Sequence, residues 1–141
     1  MKLYFAYGSN MNSKQMEERC PDSSCRGTGS IDGHRFIINS RGVASIVPDV
    51  NSMVHGLIWE ISEEDELVLD KREGVSSNCY SKVDLLVKEA NGKEATCLVY
   101  IASDQSIGKP RLGYLEKIIQ PLKDGSFPEC YVLEIEGWVA K

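Results

Sequence analysis

Two short segments hold residue types that could do chemistry. Tyr7-Gly8-Ser9-Asn10 follows an apolar run and precedes a capped helix. Gly8 lets the backbone turn and approach a ligand closely. Ser9, Asn10 and successive backbone N–H groups at such a turn can hold a carboxylate. The second segment is Leu69-Asp70-Lys71-Arg72-Glu73-Gly74-Val75, with Tyr80 shortly after it. Glu73 falls at the C-terminal end of an expected helix, where the negative end of the macrodipole disfavours a carboxylate. Partial desolvation there would raise its pKa toward that of a general base. Lys71 and Arg72 would oppose that shift if they faced it, and Tyr80 could hydrogen-bond the carboxyl. Taken singly, each segment also fits a plain role: a strand-to-helix turn, and a surface glutamate at a helix end. His34 and His55 fit solvated or hydrogen-bonded structural roles, and neither a Gly-x-Ser-x-Gly elbow nor a P-loop occurs.

The elements that must position these residues are legible in outline. Leu3–Tyr7 reads as an aromatic-rich strand. Asn12 is placed to cap a short helix, with Gln15 completing a capping-box pattern and Pro21 ending it. Residues 23–33, rich in Gly and Ser, read as a loop. Arg35–Asn39, Val43–Val47 and Val54–Ile61 read as strands. Ser62 caps a helix whose first turn holds Glu63, Glu64 and Asp65 and whose last turn holds Lys71 and Arg72, with Gly74 just beyond. Tyr80–Lys88 and Glu94–Ala102 flank Asn91-Gly92, which predicts a hairpin with a type I′ turn. Leu115, Ile118, Ile119 and Leu122 have helical spacing, closed by Pro121. The tail is ambiguous: Tyr131, Leu133 and Ile135 alternate like a strand, whereas Pro128 with Tyr131, Ile135 and Trp138 favours a helix. Strands and helices do not alternate regularly, so a mixed α+β domain or a small barrel with packed helices fits better than a doubly wound sheet.

The chain has 141 residues, 42% hydrophobic and 26% charged, with a net charge of −5. That length predicts a single domain over residues 1–141 that can bury a core without disulfides. An acidic chain with no basic run is a poor partner for nucleic acid or an anionic membrane. No apolar run approaches the roughly 18 residues of a membrane span. The apolar start runs straight into a turn, as a first strand would and a signal peptide would not. Five scattered cysteines argue against a disulfide framework and for a cytoplasmic location. Cys20 and Cys25 lack a second pair at zinc-ligand spacing, so no metal is expected.

In chain order, Tyr4–Asn10, Ala44–Pro48, Val54–Trp59, Leu69–Gly74 with Tyr80, Glu94–Tyr100 and Tyr114–Ile119 resemble the gamma-glutamylcyclotransferase family (AIG2-like domain), from Leu3 to about Tyr131. The resemblance implies an α+β fold, a small mixed β-barrel of about six strands with packed helices and a cavity at its mouth. It also implies a cofactor-free reaction. In that reaction the α-amine of a gamma-glutamyl group attacks its own γ-carbonyl, releasing 5-oxoproline and a free amine or amino acid. By the same resemblance Glu73 is the proton-transfer residue, Tyr7, Gly8, Ser9 and Asn10 hold the glutamyl moiety, Tyr80 positions Glu73 and Tyr114 lines the cavity. Tyr100 is expected to pack in the sheet. A second reading is a non-catalytic or regulatory member that binds a small carboxylate.

Overall fold

The computed structural model describes residues 1–140. Among them, five strands close into a barrel: β1 (Lys2–Ala6), β2 (Ser24–Ile38), β3 (Ala44–Ile61), β4 (Tyr80–Glu89) and β5 (Glu94–Ala102). The order around the barrel is β1-β3-β2-β4-β5. Neighbours are antiparallel except β1 and β5, which run parallel with Tyr4 opposite Leu98. Around the barrel lie α1 (Ser13–Arg19), α2 (Glu63–Arg72), α3 (Glu116–Asp124) and α4 (Glu129–Glu136). The fold is thus the α+β mixed barrel expected, with five strands rather than about six.

The strand count falls because two expected runs are one. Val43–Val47 and Val54–Ile61 lie on the single strand β3, which continues through Pro48. There β3 pairs only with β2, since its pairing with β1 begins at Leu57. A strand with one paired side is where a proline is tolerated. Residues 23–33 are a second correction. Far from being a loop, Ser24–Ile38 forms β2, with register shifts at Cys25/Gly27 and Asp32/His34. Gly27 (φ 122°) and Gly33 (φ 74°) supply the backbone conformations that bend the strand around the barrel. Gly56 has a different task. A Cβ there would stand 2.2 Å from the Ala6 carbonyl oxygen, so β1 and β3 can cross at this separation only over a glycine.

The helix signals fare better. Asn12 Oδ1 accepts from the Gln15 N–H, and Ser62 and Asp65 form a reciprocal capping box at α2. The tail takes its helical alternative: α4 follows Pro128 and buries Tyr131 and Ile135. Pro121 does not close α3 but sits within it, and the helix runs on to Asp124. One backbone hydrogen bond is lost, while burial of Ile118 and Leu122 holds the segment in place. The hairpin forms where Asn91-Gly92 put it, but not through a type I′ turn. Gly92 N–H bonds the Glu89 carbonyl, Glu89 N–H bonds that of Lys93, and only Gly92 has positive φ. This is the longer hairpin connection, in which a single left-handed glycine follows the turn. One buried cluster joins Phe5, Phe36 and Ile58 of the strands to Leu69, Ile118 and Leu122 of the helices. Each such side chain contributes about 1.5–3 kcal/mol.

Candidate active site

A narrow cavity opens where the end of β1, the turn after it and the C-terminus of α2 meet. Its walls include Gly8, Ser9, Asn10, Glu73 and Ala44. Five of the chain's six tyrosines line it: Tyr4, Tyr7, Tyr80, Tyr100 and Tyr114. The slot has a volume of about 40 Å³. It continues through Ser9, Glu73, Tyr80 and Tyr114 into an outer vestibule of about 370 Å³. Among the described residues no helix is long and apolar enough to cross a membrane.

Glu73 is placed by α2. Ser62 and the four acidic residues after it fix the helix start at the positive end of the dipole. Leu69 is buried against the barrel, and the Tyr100 hydroxyl donates to Asp70 Oδ1 at 2.7 Å. These two anchors lie one turn before Glu73, the residue that caps the helix, and Gly74 then leaves it in a left-handed conformation (φ 63°). Burial pushes the Glu73 carboxyl up to about 7, against a smaller downward pull from Arg19. Arg19, not Lys71 or Arg72, is the cation that opposes the shift. The carboxyl accepts no hydrogen bond from the described residues.

The Tyr7–Asn10 turn is braced from below. Asn10 is buried; its Nδ2 donates to the Tyr4 hydroxyl at 3.0 Å, and its Oδ1 accepts from Gln15 Nε2 at 2.8 Å and Arg19 Nη1 at 2.9 Å. Gln15 Nε2 also donates to Ser9 Oγ at 3.0 Å. The Asn10 amide is therefore committed mainly to the scaffold, with one Nδ2 proton left over. The Ser9 hydroxyl keeps its own proton, and the N–H groups of Gly8, Ser9 and Asn10 find no acceptor among the described residues. A Cβ on Gly8 would project toward Tyr114 Oη and Ala44 Cβ, at 3.9 and 3.8 Å, and so into the slot.

The tyrosines divide by where their protons go. Tyr7 donates to the Tyr100 carbonyl at 2.6 Å, Tyr100 donates to Asp70, and Tyr80 donates to the Ala44 carbonyl at 2.6 Å. Tyr80 thus braces the wall beside β3 and makes no bond to Glu73. Tyr4 accepts from Asn10 and Tyr114 accepts from the Ala44 N–H at 3.0 Å, so these two hydroxyls keep a proton for a ligand. Burial raises the pKa of all five, and the nearby Glu73 charge adds to the rise at Tyr4, Tyr7, Tyr80 and Tyr114. They stay protonated donors wherever Glu73 titrates.

Sequence reasoning brought Tyr7, Gly8, Ser9, Asn10, Glu73, Tyr80 and Tyr114 to attention, and the fold gathers all seven around one slot. It missed Tyr4 and Arg19 and gave Tyr100 only a packing role. Tyr4 could have been found from strand alternation, since it lies on the face of β1 that leads through Ala6 to Gly8. Arg19 left no local signal, because only the packing of α1 brings it to Asn10 and Glu73.

A partly buried carboxyl near neutrality and unpaired N–H groups thus line one concave slot, the kind of place where small molecules bind. Residues 53–135 match the family model described as the AIG2-like family. The chain belongs to that family. It is 28% identical to gamma-glutamylcyclotransferase of Mus musculus over 139 residues, spanning 92% of this chain and 74% of the relative. The Homo sapiens gamma-glutamylcyclotransferase is 27% identical with the same coverage. A solved gamma-glutamyl cyclotransferase superposes with a TM-score of 0.88 at 26% identity, covering 96% of this chain and 86% of its own.

Proposed function

We propose that residues 1–141 act as a gamma-glutamylcyclotransferase, converting a gamma-glutamyl amino acid or amine into 5-oxoproline and the free amine. The observation that carries this reading is Glu73: a carboxyl raised to about 7 by burial, lining the same slot as Gly8, Ser9 and Asn10, whose N–H groups find no acceptor among the described residues.

The N–H groups and the Ser9 hydroxyl take the α-carboxylate of the glutamyl moiety. The slot folds its chain so that the α-nitrogen meets the γ-carbonyl carbon, and the attack is intramolecular and gains from orientation alone. The α-ammonium of the substrate is less acidic than Glu73, and a carboxylate raised to about 7 comes nearer to matching it than an ordinary glutamate at about 4.3 would. The attacking nitrogen gives up two protons on becoming the ring amide. The leaving nitrogen takes up two on becoming an ammonium. No net proton is released, and Glu73 can carry each in turn. Tyr114 and Tyr4, with protons uncommitted, are placed to steady the oxyanion of the tetrahedral intermediate. The reaction so written needs no metal or cofactor.

The test is mass spectrometry of the products from a panel of gamma-glutamyl amino acids and gamma-glutamyl amines. Cyclisation yields 5-oxoproline. Free glutamate would mean hydrolysis on the same scaffold, and saturable binding without product would mean a carboxylate-binding protein.

A further inference from the structure

The outer vestibule has an unusual charge distribution for a chain of net charge −5. Four of the six arginines lie on it: Arg19, Arg41, Arg72 and Arg111. Among the described residues its only carboxylate is Glu73, which the vestibule shares with the slot. The other two arginines, Arg26 and Arg35, each pair with carboxylates elsewhere: Arg26 with Glu60 and Glu89, Arg35 with Asp49. None of the four at the vestibule forms an ion pair with a described residue.

They also come from four separate stretches of chain. Arg19 ends α1, Arg41 lies between β2 and β3, Arg72 ends α2, and Arg111 precedes α3. Two are held in place through neutral partners. Arg19 donates to Asn10, and Arg111 Nε donates to the Arg41 carbonyl at 2.7 Å. Arg41 lies beside the Cys79 thiol, with Asp104 only at longer range. The Arg72 side chain has no hydrogen bond to any described residue. Scattered surface arginines would find the carboxylates in which this chain abounds, as Arg26 and Arg35 do. Four that converge on one concavity with no ion pair to a described residue, against the single carboxyl of Glu73, form a standing positive field, and the guanidinium fork matches a carboxylate in two-point contact.

We propose that this vestibule selects the leaving group by its carboxylates. Gamma-glutamyl derivatives of dicarboxylic amino acids are then the best substrates, those of neutral amino acids are intermediate, and gamma-glutamyl amines are the poorest. The inference rests on the cyclotransferase reading of Glu73, because the vestibule is where the group beyond the scissile amide must lie.

The experiment compares kcat/KM for 5-oxoproline release from gamma-glutamyl-glutamate, gamma-glutamyl-alanine and gamma-glutamyl-ethylamide. The expected order is as written, with roughly fivefold to tenfold per added carboxylate and a spread that narrows at about 0.5 M NaCl as the field is screened. In Arg72→Gln the ratio of gamma-glutamyl-glutamate to gamma-glutamyl-ethylamide should fall by about five- to tenfold. Arg35→Gln, the same charge change away from the vestibule, should leave that ratio unaltered. Turnover of all three compounds at equal kcat/KM overturns the vestibule inference and leaves the cyclotransferase reading standing, as does an equal fall in the ratio for both variants. Absence of 5-oxoproline from every compound overturns the cyclotransferase reading, and the inference with it.

Discussion

Replacing Glu73 by glutamine should change stability in a pH-dependent way, and the structure fixes both sign and scale. The carboxyl titrates near 7 in the folded protein against an ordinary value of 4.5, chiefly because burial disfavours the charged form. Below pH 4.5 the residue is neutral in both folded and unfolded chains and contributes no pH dependence. Between 4.5 and 7 the unfolded chain ionises first, so the folded state binds more protons and stability falls as pH rises. Above 7 the cost of the buried charge is fully present. At about 1.4 kcal/mol per pH unit, the interval amounts to roughly 3 kcal/mol, reduced to about 2 kcal/mol because Glu73 keeps some contact with solvent. A glutamine side chain cannot ionise and escapes this cost. The difference in unfolding free energy between Glu73→Gln and the parent should therefore move by about 2 kcal/mol in favour of the variant from about pH 5 to about pH 8.5. Urea titrations of both proteins at the two pH values measure it. Taking the difference cancels the opposite contributions of Asp49, Asp104 and Glu66, whose pKa values lie below their ordinary ones. If the difference is the same at both pH values, Glu73 titrates as an ordinary surface glutamate and the proton-transfer argument loses its base.

Three further outcomes are expected. Arg19→Gln removes the one cation that lowers the Glu73 pKa, so the rising limb of the pH profile of kcat/KM should move above 7. Gly8→Ala adds a methyl that meets only ordinary contacts in the slot, so stability measured by urea titration should stay within about 0.5 kcal/mol while KM rises as the glutamyl site is narrowed. Tyr100→Phe deletes the hydroxyl that holds Asp70. It should cost about 1–2 kcal/mol in unfolding free energy and lower kcat, because α2 carries Glu73 to the slot.

The legible parts of the fold were those written in local chemistry. Asn12 and Ser62 announce their helices because a capping side chain sits at a fixed offset from the N–H it satisfies. Gly74 announces the end of α2 because its backbone is left-handed. Where partners distant in sequence decide, local reading fails. Residues 23–33 look like a loop, yet long pairing with β3 makes them a strand, and the same glycines that signal a loop provide the bulges of a barrel. Pro48 looks like a strand end but lies in a stretch of β3 that pairs with β2 and not with β1. The site divides likewise. The Gly8–Asn10 turn and Glu73 carry recognisable patterns. The division of tyrosine protons, the Arg19–Asn10–Gln15 brace and the arginine vestibule exist only once separate stretches of chain have packed together.

The most direct test of the account is kcat/KM for 5-oxoproline release by the parent protein and by Glu73→Gln at about pH 8, on whichever gamma-glutamyl compound turns over best. A positioned general base contributes about 10²–10⁴-fold, so the variant should lose at least about two orders of magnitude while its unfolding transition remains cooperative. A folded Glu73→Gln protein that releases 5-oxoproline at a rate within a few-fold of the parent would contradict the role assigned to Glu73 and the mechanism built on it.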